Sequence, residues 1–147
     1  MKLNLGCCDN HLEGYINVDR CPPADQIVDL AGPWPWPDNS IEYILAQDVI
    51  EHLPDKIHTM NSIWRVLEPG GTVWIEVPTT DGPGAWQDPT HCSYWNRNSF
   101  WYYTVGNPHY ERFHKHYGIA GGFNVVGETM TWVDGIPKLS ILLEAVK

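Results

Sequence analysis

Positive charge is scarce in this sequence. Nine Lys and Arg stand against eighteen Asp and Glu, a formal net charge of −9 over 147 residues. So acidic a surface repels a phosphate backbone, which argues against any nucleic-acid partner. Long apolar runs are also lacking. None approaches the ~20 residues that span a bilayer, and the opening Met1-Lys2-Leu3-Asn4-Leu5-Gly6 has no signal-peptide stretch. A cytoplasmic protein with no membrane partner is expected. The cysteines are few, at 7, 8, 21 and 92, and none has the C-x-x-C spacing of a zinc or redox site. They read as reduced thiols. Two phosphate-binding patterns are missing as well: no G-x-x-x-x-G-K-[ST] for nucleoside triphosphates and no full G-x-G-x-x-G for dinucleotides.

What is present suits one folded domain, residues 1–147. Hydrophobic residues make up 43 % and charged residues only 18 %, enough apolar material for a real core. Eight Trp and seven Tyr must fill that core or line a contact surface. Strands are expected at Lys2–Leu5, Tyr15–Val18, Ile27–Leu30, Ile41–Ala46 and Thr72–Val77, with two closing strands at Phe123–Trp132 and Lys138–Val146. Asp55–Leu67 carries Ile57, Met60, Ile63, Trp64 and Leu67 at helical spacing, and Gly70-Gly71 is expected to stop it. Three prolines keep Ala31–Ser40 a loop, and residues 79–118 read as irregular and aromatic with a short helix over Asn98–Thr104. This order predicts an α/β fold: a Rossmann-like, mostly parallel seven-stranded sheet with a C-terminal antiparallel hairpin.

Such sheets bind ligands beyond the carboxyl ends of their strands. Those ends carry Gly6, Asp19, Asp29 and Asp48. One acid could simply end a strand as a turn residue. Three at successive strand ends point to a functional crevice.

At this point the chain resembles a known family, the class I S-adenosylmethionine-dependent methyltransferases. Leu3-Asn4-Leu5-Gly6-Cys7 resembles its first motif, and Tyr15-Ile16-Asn17-Val18-Asp19 its second strand with the ribose-binding acid. Val28-Asp29-Leu30 is similar to its adenine-side motif. Pro37-Asp38-Asn39-Ser40-Ile41 through Glu51-His52-Leu53-Pro54, and then Arg65-Val66-Leu67-Glu68-Pro69-Gly70-Gly71, are similar to its fourth strand and the helix end that follows. The resemblance implies S-adenosyl-L-methionine as cofactor, with Leu5, Gly6, Cys7, Asp19, Arg20, Asp29, Leu30, Gln47 and Asp48 around it. A carboxylate at Asp19 can accept both ribose hydroxyls in charge-assisted bonds.

Two departures stand out. The family usually has glycine where this chain has Cys8, whose side chain is expected to crowd the cofactor turn. The connections Cys7–Gly14 and Arg20–Gln26 are too short for helical crossovers. Several family helices are therefore expected to be missing, leaving a pared-down member with an uncovered sheet face and a tendency to form a homo-oligomer.

Acceptor specificity is expected from residues 79–118. Asp88-Pro89-Thr90-His91 followed by Trp95 resembles an element found after the fifth strand of some small family members. His91, His52 and Asp48 are the catalytic candidates, since histidine titrates near neutrality and suits proton removal from an acceptor. His91 could equally order its loop, and His52 could equally anchor the turn. His109, His114 and His116 cluster in sequence, and with His91 could serve a metal-dependent hydrolase. Without an acid set they read instead as a solvated loop, and no metal is expected. The reading is a methyltransferase for an unidentified small-molecule or sugar-like acceptor. The alternative is a non-catalytic S-adenosylmethionine-binding or interaction module that keeps the fold.

Overall fold

A computed structural model describes all of residues 1–147. One seven-stranded sheet organises the molecule: β1 (Lys2–Leu5), β2 (Ile16–Asp19), β3 (Gln26–Ile27), β4 (Ile41–Gln47), β5 (Leu67–Pro78), β6 (Gly122–Val133) and β7 (Ile136–Val146). Their spatial order is β3-β2-β1-β4-β5-β7-β6. The first five are parallel, and β7 runs antiparallel to both β5 and β6. The expected sheet and closing hairpin are both present.

The clearest predicted helix is α1 (Lys56–Val66). Asp55 caps it, its carboxylate accepting from the backbone amides of Ile57 and His58. The helix ends before the glycines expected to stop it. Leu67 is already extended and pairs with Ile41. Residues 68–71 then bulge opposite Glu42, because the register jumps from Ile41↔Leu67 to Tyr43↔Thr72. Gly71 sits where backbone crowds backbone: a Cβ there would lie 3.0 Å from the carbonyl oxygens of both Glu68 and Ile41.

No helix joins β1 to β2 or β2 to β3. A buried asparagine pair holds those short connections instead. Asn4 donates to the Asn17 side chain and to the carbonyl of Asn10. Asn17 in turn binds the backbone of Leu12 and the carboxylate of Asp25. These bonds satisfy loop groups that no crossover helix is there to cover.

The other face is well covered. Trp34 and Trp36 are each 5 % exposed and pack edge to face, so the proline-rich loop does the work of a helix. Arg65 of α1 clamps it by donating to the carbonyls of Trp34 and Trp36. Residues 79–118 are more regular than expected. They hold α2 (Gly84–Gln87), a 3-10 helix over Arg97–Tyr103, and α3 (Pro108–Tyr117). Trp95 and Phe100 from this segment are fully buried and stacked. Much of the aromatic load is therefore core. Strand β3 is shorter than expected because Asp29 accepts the Ala31 amide and turns the chain away.

Candidate functional site

A cavity of about 450 Å³ opens at the carboxyl ends of the parallel strands. Gly6, Asp19, Arg20, Asp29, Leu30, Asp48 and His52 all line it, together with Thr90 and Val49. Seven residues singled out from the sequence thus share one wall. Leu5 and Cys7 are not on it: both are buried behind it in the core. Gln47 is exposed and turned away, its amide donating to Glu76.

Gly6 has φ +62°, and a Cβ on it would lie 2.6 Å from Val49 Cγ2. Only glycine leaves the floor of this cradle open. Asp19 accepts from the Cys8 amide with one oxygen and from the Cys21 amide with the other. A carboxylate has about four lone-pair sites, so two remain for a ligand's hydroxyls. Cys8 does not crowd the cavity, contrary to expectation. It takes φ +44° itself, the left-handed conformation that favours glycine, and its side chain points into solvent.

At the other end Asp48 (φ +51°) forms an ion pair with Lys138 of β7, Nζ to Oδ2 2.6 Å. Lys138 also lies 3.7 Å from Glu76. Burial alone pulls the Lys138 pKa down, but the Asp48 bond and the surrounding carboxylates raise it overall. Asp48 is therefore engaged by a lysine at one of its oxygens rather than left free.

His52 and His91 meet edge to face, with ring centroids 4.8 Å apart. His52 stands at the cavity, and His91 is one layer behind, its side chain only 7 % exposed. The Thr90 hydroxyl is 2.7 Å from Asp88 Oδ1 and 3.0 Å from His52 Nδ1. The Asp88 pKa is lowered, chiefly by the side-chain and backbone bonds from Thr90. An ionised Asp88 can only accept, so Thr90 donates to it and accepts from His52 Nδ1–H. That leaves His52 Nε2 with its lone pair free.

Glu51 was not among the residues singled out as site candidates. Its side chain is 3 % exposed, and neither carboxylate oxygen has a hydrogen-bond partner. Burial pushes its pKa up to about 7, against a smaller downward pull from its own backbone amide. Lys138 and Thr90 were missed too. His109 and His114 lie on α3 against Trp101, Tyr102 and Tyr110, so they do not converge with His91 on a metal site.

Residues 9–117 match the family model described as "Methyltransferase domain". The chain belongs to this family. Its strand order and cavity position are those expected of the class I, S-adenosylmethionine-dependent methyltransferases. Among the solved structures that share the fold are two bound to S-adenosylhomocysteine. The N-methyltransferase NodS of Bradyrhizobium japonicum, in complex with S-adenosylhomocysteine, aligns with a TM-score of 0.68 at 13 % identity, covering 99 % of this chain and 78 % of that one. The 1,6-didemethyltoxoflavin-N1-methyltransferase of Burkholderia thailandensis, with 1,6-didemethyltoxoflavin and S-adenosylhomocysteine bound, gives 0.67 at 12 %, covering 99 % and 71 %. At these identities the likeness is one of fold. Phosphoethanolamine N-methyltransferase 2 of Caenorhabditis elegans is 42 % identical over 38 residues, 26 % of this chain and only 9 % of that protein's length. No helix is long and apolar enough to cross a membrane.

Proposed function

We propose that this protein binds S-adenosyl-L-methionine in the cavity and transfers its methyl group to a small-molecule or sugar-like acceptor in the cytoplasm. The observation that carries the reading is the convergence of Gly6, Asp19, Asp29, Asp48 and His52 on one cavity at the strand ends. The residues suit the cofactor. Asp19 has lone pairs to spare for a ribose diol, Asp29 has one carboxylate oxygen free for an adenine amino group, and Gly6 leaves room for the methionine portion. When bound, the cofactor would supply a methyl carbon made electrophilic by positive sulfur, with that sulfur as the leaving group that keeps the C–S electron pair.

The chain's own groups do the rest. Asp48, ion-paired with Lys138, places a carboxylate on the cavity wall, where it would face the positive end of a bound cofactor. His52 Nε2 accepts the proton that the acceptor's O–H or N–H loses as its lone pair attacks the carbon. Asp88 and Thr90 hold His52 in the tautomer that can do so.

Titration calorimetry with S-adenosylhomocysteine tests the assignment. Asp19→Ala should cost about 2–4 kcal/mol of binding, since hydrogen bonds to charged groups are worth about 1.5–3 each and overlap. No heat with the native protein sinks the assignment. Binding without S-adenosylhomocysteine release across an acceptor screen returns it to a non-catalytic module. We also propose a homo-oligomer. Leu45, Trp74 and Leu142 are register partners on the sheet face that carries no helix. A monomer mass by light scattering at micromolar concentration counts against that.

A further inference from the structure

Beside the cavity, the side chains of Glu51, His52 and His91 converge on one buried place. Glu51 offers two buried, unpartnered carboxylate oxygens. His91 Nε2 is 3.9 Å from Glu51 Oε1 and 3.8 Å from Asp88 Oδ2, both too long for hydrogen bonds. The Ala85 carbonyl lies 3.2 Å from His91 Nδ1 and can only accept, so Nδ1 carries a hydrogen, and Nε2 is the nitrogen that faces the acids. A ring nitrogen of His52 completes the group: one ligand atom from each of Glu51, His52 and His91 lies within 4.8 Å of the others. A buried carboxyl group without a hydrogen-bond partner is costly, and a cation shared with the two imidazoles would supply the missing partner.

We propose that Glu51, His52 and His91 hold a first-row divalent cation of the zinc type at the acceptor end of the cavity, with Asp88 close enough to add an oxygen. Two imidazoles and a carboxylate are a donor set that such ions favour. Ligands about 2.1 Å from a tetrahedral ion lie roughly 3.4 Å apart, so the 3.9 Å between Glu51 and His91 needs a small contraction, and the spread of up to 4.8 Å across the three ligands needs a side-chain adjustment of about an ångström. The Nδ1–H bonds of both histidines, to Ala85 and to Thr90, are the outer contacts that orient such ligands. His52 carries the site to the cavity wall.

If methyl transfer is the reaction, on which this part alone rests, the acceptor class is an oxygen ligand, a hydroxyl or enol. Beside the cation its O–H gives its proton to water more readily. Its oxygen lone pair then forms the O–CH₃ bond as the C–S pair leaves with sulfur. With the ion present His52 serves as a ligand, and without it as the base.

The test uses Co²⁺ alone, titrated into chelator-treated protein with no cofactor or acceptor. One equivalent should bind with visible d–d absorption, lack strong sulfur charge-transfer bands, and be displaced by Zn²⁺. Glu51→Gln should weaken binding at least tenfold, and His91→Gln should do the same if the first variant folds poorly. A Cys8→Ser, Cys21→Ser double variant should bind as tightly as the native protein. No uptake at millimolar Co²⁺, or equal affinity in Glu51→Gln, overturns the proposal. Calorimetry with S-adenosylhomocysteine on the same metal-free samples reports separately on the methyltransferase reading.

Discussion

Lys138 of β7 reaches the Asp48 carboxylate at 2.6 Å, joining residues ninety positions apart in the chain. The pair ties the antiparallel half of the sheet to the turn after β4, where the cavity begins. Lys138→Met leaves Asp48 and Glu76 without their cation. Asp48 is 39 % exposed and partly screened, so the expected loss is about 1–2 kcal/mol in urea unfolding. Adding Asp48→Asn should recover part of it. A double variant no better than Lys138→Met alone refutes the pairing as the source of the loss.

Gly6→Ala probes the cavity floor. The new methyl would meet Val49 at 2.6 Å on a backbone with φ +62°. Gly14 provides the control: it has φ +81° with nothing within 4 Å of a Cβ. Both alanines carry the left-handed strain of about 1–2 kcal/mol, but only Gly6→Ala adds a clash inside the cradle. It should lose S-adenosylhomocysteine affinity at least tenfold, while Gly14→Ala keeps it. Equal affinities in the two variants contradict the cradle.

The contrast between α1 and α3 explains what the residues could reveal in advance. Helix α1 buries Met60, Ile63 and Val66 at helical spacing behind the Asp55 cap, so local pattern and packing agree. Helix α3 buries no residue: Tyr110, Phe113 and Tyr117 recur at helical spacing between Asn107-Pro108 and Gly118, but polar residues and histidines fill the positions between them and dilute the pattern. The strand-end acids were legible because topology places them on one edge. Glu51 was not, because an acid beside a histidine ordinarily faces water. Its burial is imposed from elsewhere, by the chain around Cys92 and Ser93, whose amides bind the Glu51 backbone carbonyl. Lys138 was illegible for the same reason: nothing local marks a strand lysine as the partner of a distant turn.

Cys8→Gly should stabilise the protein by about 0.5–1 kcal/mol in urea unfolding, since it removes a side chain from a left-handed conformation. Affinity for S-adenosylhomocysteine should stay within twofold, because the thiol faces solvent and only the amide contacts Asp19. Tighter binding revives the crowding argument.

Asp25 makes the β2–β3 connection sensitive to acid. Bonds from the Asn17 backbone amide, and then from its side chain, hold the Asp25 pKa below its ordinary value. The folded protein therefore binds fewer protons than the unfolded chain as pH falls from the ordinary value of about 3.9. The stability that Asp25 contributes is complete above that value and is lost as pH falls through the folded one. Asp25→Asn should melt lower than the native protein at about pH 6, with the gap closing toward about pH 2.5. A gap that is constant with pH refutes the linkage.

Thr90 sets the proton of His52, and that can be observed without knowing the acceptor. Its hydroxyl has one hydrogen, and the ionised Asp88 at 2.7 Å takes it, so His52 must donate from Nδ1. In metal-free protein above neutral pH, nitrogen-15 NMR should find His52 as the Nδ1–H tautomer. Thr90→Val keeps the shape and removes the relay, after which the ring should shift toward Nε2–H. With Nε2 protonated there is no lone pair for an acceptor's proton, so turnover should fall by ~10²–10⁴, as when an acid–base group is lost. S-adenosylhomocysteine affinity should change little, because Asp19 and Gly6 are untouched. Native protein showing the Nε2–H tautomer breaks this chain of inference at its first step. A variant that shifts tautomer yet keeps full turnover removes His52 from the chemistry and leaves it the anchoring role.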